Sequence, residues 1–525
     1  MPVIEVDVVI VGAGPTGLAM ANCLSRLGIS VFLADSKDGP TRESRAIVVQ
    51  ARTMEIYDQL GLAEAMLEKL YFAASVIPGY ESTLFSPVPL GELGAGITPF
   101  PRVHVLEQSA TETILAGALE TAGRPVAWGH RLIALEMEIE AQGDAAGATA
   151  LPVRARFTAE GGPVDVHARY CVGADGASSA VRTMLGIQFV GVTNPQTFYV
   201  ADAVGVRGLS PGRINVRFGA REFLLTFPMG PGGHDRLLGL VPRPRQGAAR
   251  RATGGVAPEP VDATKRTVRE TLHDTFAVDY DDTEWFATYR VHHRTAARFR
   301  QGAAFLVGDA AHVHSPVGGQ GMNTGIQDAH NLACKIGDVL AGRAGEPYLD
   351  RYEAERRPVA LRLVTSTDRV FGAVTSDRFL ARLLRRRVIP VVAALGTRIV
   401  PRLSAASRLF GYLSQTRIHY WMSDLERAGS RGRRGVVVGR RLPWTGENYD
   451  CLRTMTWQVH AYARSAGAAA TSTALALGLE SHVFASPRST ALTREELFLV
   501  RPDGFVAAAA SGREATAVFQ RALQH

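Results

Sequence analysis

Apolar residues dominate Val6–Val11, broken only by Asp7; a glycine-rich turn follows, and apolar positions then recur at helical spacing from Pro15 to Leu27 before a second run at Val31–Ala34. This succession predicts a buried strand, a tight turn, a helix and a second buried strand, forming a parallel, right-handed βαβ unit. Helical spacing returns at Thr53–Leu60 and Val105–Ala122, whereas Phe85–Phe100, rich in Gly and Pro, predicts loops and short strands. Val153–Phe157 and Val164–Val172 read as strands joined by a turn, and Phe198–Leu240 as a sheet region. Arg243–Lys265, full of Pro, Gly, Ala and Arg, predicts a long exposed loop. A buried strand at Ala303–Val307, a helix at Gly321–Leu340 and a charged helix near Tyr348–Thr365 then return the chain to the first domain.

A largely helical segment reaches Glu426, and the Gly- and Arg-rich stretch Ala428–Arg441 marks a boundary. Beyond it the pattern predicts a strand at Trp457–Tyr462, a helix near Thr471–Leu477, a strand at His482–Ala485, a hairpin turning at Asp503–Gly504 and a final helix from Arg513. That order resembles a thioredoxin half-fold without its CxxC, which implies a structural or interface role rather than disulfide chemistry. No repeat of solenoid period is present.

At 525 residues the chain exceeds one hydrophobic core, so two or three domains are expected. Hydrophobic and charged fractions of 46% and 21% exclude disordered and fibrous classes. The net charge of +8 is spread along the chain, with local clusters at Arg385–Arg387 and Arg431–Arg434, and reads as a solvated basic surface rather than a nucleic-acid interface. Cys23, Cys171, Cys334 and Cys451 form no metal or redox spacing, so a reduced, cytoplasmic setting is expected. Met1 leads straight into a strand, leaving no room for a signal peptide, and Val388–Val400 is broken by Pro390 and Arg398, so no membrane span is expected.

The chemistry concentrates in three motifs. In "DVVIVGAGPTG", Gly12, Gly14 and Gly17 stand after a strand and open a helix through Pro15 and Thr16; Asp35 closes the next strand. The glycines permit the turn, the approach of a diphosphate to backbone and close helix packing, while the acid can accept hydrogen bonds from a ribose. Asp35 beside Ser36 could also simply initiate a turn. The second motif, "YCVGADGASSAVR", places Asp175 and Gly176 after a strand, with Arg182 on the following helix. The third, "FLVGDAAHVHSPVGGQGMNTG", carries Asp309, Pro316, Gly318, Gly319, Gly321, Met322 and Asn323. All three put small residues and a carboxylate at the end of a buried strand, as one extended dinucleotide requires.

In this order and spacing the motifs resemble the para-hydroxybenzoate hydroxylase family of FAD-dependent monooxygenases over residues 1–360, and the last domain resembles that of the phenol and aromatic-polyketide hydroxylases. The resemblance implies an α/β fold: a Rossmann-like FAD-binding domain of the GR2 type (1–180 and 286–360), a β-sheet substrate domain (181–285, with 71–100 contributing), a helical segment (361–428) and a thioredoxin-like domain (429–525). It implies that the first motif holds the ADP half of FAD, that Asp175 lies near the FAD and NADPH paths, that Asp309 binds the ribityl hydroxyls, that Gln108 and Arg45 lie by the diphosphate, and that Pro316 sits near the reacting ring. Gln108 also has a plainer reading as a helix-cap partner, and Arg45 as a surface residue. Free amides at the helix opening near Gly319–Asn323 suit the negative pyrimidine edge of a reduced flavin.

The implied reaction reduces FAD with NADPH or NADH, adds O2 to give a flavin 4a-hydroperoxide and hydroxylates an aromatic, phenolic or polyketide-like small molecule. No second dinucleotide fingerprint is present, so no dedicated nicotinamide domain is expected, and the resemblance implies that the nicotinamide docks transiently on the FAD domain. No side chain is assigned as general base. The substrate face is expected on the sheet from Tyr199 to Phe227, with Phe223, Phe227 and Pro228 as candidate ring contacts, although plain core packing is the first reading of each. His312 and His314 lack a third metal ligand, as do His292 and His293, and no metal is expected. None of Trp128, Trp285, Trp421, Trp444 or Trp457 sits in the WxWxIP signature of flavin halogenases. A flavin-dependent reductase or dehydrogenase and a non-catalytic flavin-binding module remain as alternatives, and a homodimer is allowed.

Overall fold

The computed structural model describes residues 3–41, 46–90, 93–137, 151–220, 222–230, 232–242, 261–314, 319–375, 410–420, 437–485 and 492–524. Arg45, Pro316, Gly318, the 388–400 run, both arginine clusters and most of the expected 361–428 helical segment lie outside them.

The first sheet is built on Ile4–Val11, which pairs in parallel with Val31–Ala34 on one side and Gly162–Gly173 on the other; Ala304–Leu306 extends the parallel set. Val8, Val9, Ile10, Cys171, Val172, Phe305 and Leu306 have no measurable exposure, the signature of strands covered on both faces. The covering layer includes helices Pro15–Arg26 and Gly321–Leu340, which pack on each other. Val11 stands opposite Gly173, and Gly173 opposite Leu306, so the three motif-bearing strands end in register at one edge. Loops after the carboxyl ends of parallel strands are where α/β sheets bind ligands.

The second sheet has nine strands, with Asp282–Ala296, Phe189–Val204, His234–Leu240, Phe223–Gly230, Ile214–Phe218 and Ser75–Tyr80 adjacent in that order. One face packs Tyr199, Ala201, Leu224 and Leu237 on the helix Val261–Phe276; the other turns Val200, Ile214, Phe227 and Leu238 toward Ile47 and Val105 of the first unit. One expectation is corrected here. The helix begins at Val261, inside the expected loop, because its core stripe is only Val268, Leu272 and Phe276, spaced by four among charged residues. The strand Asp282–Ala296 follows Phe189–Val204 along its length, and its charged residues mask it until the partner strand is in place.

The C-terminal unit is a four-stranded sheet in the order Glu480–Val483, Gln458–Ala461, Glu496–Val500, Val506–Ser511, parallel in its first pair and antiparallel thereafter. Helices Gly467–Leu477 and Ala515–Gln524 pack on it through Ala470, Ala474 and Phe519. No described helix is long and apolar enough to cross a membrane.

Three buried histidines are held neutral. Burial, with Arg52 nearby, lowers His330 to about 3; burial, with His482, lowers His460 to about 3; burial lowers His104 to about 4, with Arg102 adding to it and a backbone hydrogen bond opposing it. Between these values and the ordinary 6.5 the unfolded chain binds protons that the folded chain does not, so stability falls as pH drops below about 6.5. Thermal unfolding from pH 7 to pH 5 should register a loss of about 2 kcal/mol per histidine; a pH-independent midpoint over that range would contradict it.

Candidate active site

A single cleft of about 790 Å³ runs along the in-register strand ends and reaches the second sheet. That volume lies in the range of small-molecule and cofactor sites, about 300–1,000 Å³.

The cleft begins at the glycine loop. Gly12 has φ +102°, and a Cβ there would lie 2.5 Å from the carbonyl oxygen of Ala174, so only glycine fits between the first and second motifs. A Cβ on Gly17 would overlap the carbonyl oxygen of Gly12, which sets how closely helix and strand approach. At Gly14, in contrast, a Cβ would meet nothing within 4 Å, and the residue lines the cleft. The helix opening at Pro15 has no side-chain cap and no acid in its first turn, leaving its amide end suited to an anion. Asp35 sits across this loop, its Oδ2 accepting from the Ala13 amide at 2.6 Å and its Oδ1 from the Lys37 amide at 2.9 Å. An open glycine, an uncapped helix start and an acid at the end of the next strand together fit the ADP half of FAD.

The other two motifs meet here. Asp175 lines the cleft and accepts from the Ser179 hydroxyl and, at 3.1 Å, the Val181 amide. Burial pushes its carboxyl up, against the opposing pull of those hydrogen bonds. Arg182 donates to the Ala310 carbonyl at 2.9 Å and lies over the Phe189 ring, tying the second motif to the third. Asp309 is exposed on the cleft in a short 3₁₀ turn. Gly319, Gly321 and Met322 also line it, where Gly321–Leu340 starts with no side-chain cap and no acid in its first turn. Asn323 does not: it is buried, its Oδ1 accepting from the Gln50 amide at 2.8 Å and its Nδ2 donating to the carbonyls of Val48 and Gly319 at 2.8 and 2.7 Å. Its role is to join two segments of the wall.

On the second sheet, Leu225, Phe227 and Leu238 face the cleft. Phe223 shares the strand face of Phe227 but packs beside Phe218 beyond the lining, and Pro228, next along the strand, points to the opposite face. Gln108 lines the cleft at the start of Gln108–Thr121, accepting from the Ala46 amide at 3.3 Å and donating to Glu112 at 2.9 Å.

Several site residues carry no motif signal. Glu112 is fully buried and accepts from Lys37 Nζ at 3.3 Å and the Thr41 amide at 2.7 Å. Only its spacing one turn after Gln108 hints at it. Below the third motif lies a buried relay: Asp328 accepts from His312 Nε2 at 2.7 Å, the Gly308 amide at 3.2 Å and Arg356 Nε at 2.6 Å. Burial alone would raise this carboxyl, but Arg356 and His312 outweigh it and hold it down. His312 is thus anchored within the protein, and no metal-binding cluster occurs among the described residues.

Residues 5–367 match the model of an FAD binding domain family. The chain is 34% identical over 457 residues to 6-methylpretetramide 4-monooxygenase of Streptomyces rimosus, covering 84% of this chain and 75% of the relative. It is 31% identical to pentachlorophenol 4-monooxygenase of Sphingobium chlorophenolicum, covering 69% and 68%. The solved structure of an anhydrotetracycline hydroxylase from Streptomyces rimosus superposes with a TM-score of 0.74 at 27% identity, covering 99% of this chain and 98% of that one. The chain therefore belongs to the FAD-binding class A monooxygenases related to the aromatic-polyketide and phenol hydroxylases, and is a flavin-dependent aromatic hydroxylase.

Proposed function

We propose that this enzyme hydroxylates a polycyclic phenolic, polyketide-like molecule, with NADPH as reductant and O2 as the oxygen source. The observation carrying this reading is the continuity of one cleft, which joins the three strand-end motifs to an apolar wall of Leu225, Phe227 and Leu238. An apolar wall suits a planar fused-ring substrate, and the tetracycline-type names of relatives support several rings rather than one. FAD, when bound, supplies the hydride acceptance and oxygen activation.

The chain's own residues bind, orient and exclude water. Amides at the start of Pro15–Arg26 receive the diphosphate, Asp35 the adenosine ribose, Asp309 the ribityl hydroxyls, and Gln108, with Glu112 behind it, the region between. The start of Gly321–Leu340, which has no side-chain cap, offers its first-turn amides to negative charge on the flavin's pyrimidine edge. The second sheet closes the reacting end against water. We assign the C-terminal unit as a thioredoxin-like domain lacking its redox cysteines, supported by its strand, helix, strand, hairpin, helix order.

NADPH oxidation by purified, FAD-loaded protein should be stimulated by polycyclic phenols, with one atom of labelled O2 in the product. Stimulated oxidation without label in any product would favour a reductase instead. Phe227→Ala, by removing ring contact, should raise the substrate Kd about tenfold, an aromatic contact being worth about 0.5–1.5 kcal/mol; an unchanged Kd would remove Phe227 from the substrate wall.

A further inference from the structure

The helix Gly321–Leu340 is polar on one buried stripe: Asp328, Asn331, Lys335 and Asp338 follow at intervals of three or four, each under 3% exposed. Burying charge is costly unless every group is paired, and here the C-terminal unit supplies part of the pairing. Arg501 holds Glu355 through two bonds of 2.7 and 3.0 Å and Asp503 at 2.7 Å; Lys335 donates to Glu355 at 2.8 Å, and Asn331 to both Glu355 and Asp503, at 2.8 and 3.3 Å. One turn further, Trp457 donates to Asp338 at 2.8 Å.

The same hairpin turn grips a second helix, Ala51–Gln59. Arg52 donates to the Asp503 carbonyl at 2.7 Å, Gln59 to the Pro502 carbonyl at 3.2 Å, and Arg441 reaches Glu55 at 2.8 Å. At their N-termini the two helices meet at the cleft, where Asn323 bonds the Gln50 amide and the carbonyls of Val48 and Gly319, two residues that line it. The turn thus sits between two helices whose N-termini are joined at the cofactor cleft.

We propose that the turn Arg501–Phe505 is a positioning element for the flavin: by holding these two helices at fixed separation and register, Arg501 and Asp503 set how strongly the site favours reduced over oxidised FAD. They touch neither cofactor nor substrate and act through the amide end of Gly321–Leu340. The inference rests on the reading that this end faces the flavin. Helix-terminal stabilisation falls off within the first turn, so a small axial slip weakens it.

The test is the midpoint potential of FAD-saturated holoenzyme. Asp503→Ala should lower the ratio of reduced-to-oxidised affinity about tenfold, a shift of about 30 mV downward for a two-electron couple, and Asp503→Asn should shift it less in the same direction. If Asp503→Ala fails to fold, Asp503→Asn carries the test. Arg453→Ala, which removes a half-exposed ion pair with Asp58 across the same interface, should leave the potential unchanged. Wild-type potentials in both folded Asp503 variants would overturn the proposal. Gln320→Glu tests the underlying reading, since a carboxylate at the helix start lowers the potential whatever the turn does. No shift in Gln320→Glu removes that reading and the proposal with it; a shift there with none at Asp503 removes the proposal alone.

Discussion

Gly17→Ala protein should be folded but colourless, with FAD affinity reduced about 100-fold. The added Cβ would overlap the backbone oxygen of Gly12, which cannot swing aside as a long side chain would. Gly12 is itself held against Ala174, where its own Cβ position lies 2.5 Å from a carbonyl oxygen, so the loop cannot relax toward the second motif. The helix must move outward, carrying its amide end away from the diphosphate. Overpacking costs about 1–3 kcal/mol, and about 3 kcal/mol corresponds to about 100-fold in affinity. FAD fluorescence titration measures it directly, with circular dichroism to establish the fold. A yellow Gly17→Ala protein of wild-type affinity would show that the diphosphate does not sit on this loop.

Asp328→Ala should be the most destabilising single change near the site. Asp328 and Arg356 are both fully buried, and the carboxylate holds Arg356, His312 and the Gly308 amide together. Arg356 would keep the Tyr420 hydroxyl and the Thr324 carbonyl but lose its counter-charge. Breaking a buried pair from one side costs about 3–5 kcal/mol, against a total stability of about 5–15 kcal/mol for a typical domain. Urea unfolding should show the midpoint falling accordingly, and Asp328→Ala/Arg356→Met should recover much of the loss because no charge is stranded. A double variant less stable than the single one would mean that Asp328 acts chiefly through His312 and the Gly308 turn.

The sequence by itself determined the parts governed by local rules. Strand, glycine turn and helix at the first motif follow from apolar periodicity and from the backbone demands of Gly12 and Gly17, and the helix Gly321–Leu340 follows from its uninterrupted 3.6-residue spacing. The hairpin turn at Asp503–Gly504 announced itself through its dipeptide. Tertiary structure decided what depends on partners distant along the chain. The strand Asp282–Ala296 exists because Phe189–Val204 lies beside it, and Phe227 reaches the cleft while Phe223, at the start of the same strand, packs beside Phe218. The side chain of Asn323, at the helix opening expected to face the cofactor, bonds the backbone of Val48, Gln50 and Gly319. Asp503 reads locally as a turn residue, yet in the fold it is buried against Arg501, Asn331 and Arg52. Periodicity and turn chemistry act between near neighbours and are legible in one dimension; the pairing of buried charges depends on which helices a hairpin meets, and that is fixed only when the chain has closed on itself.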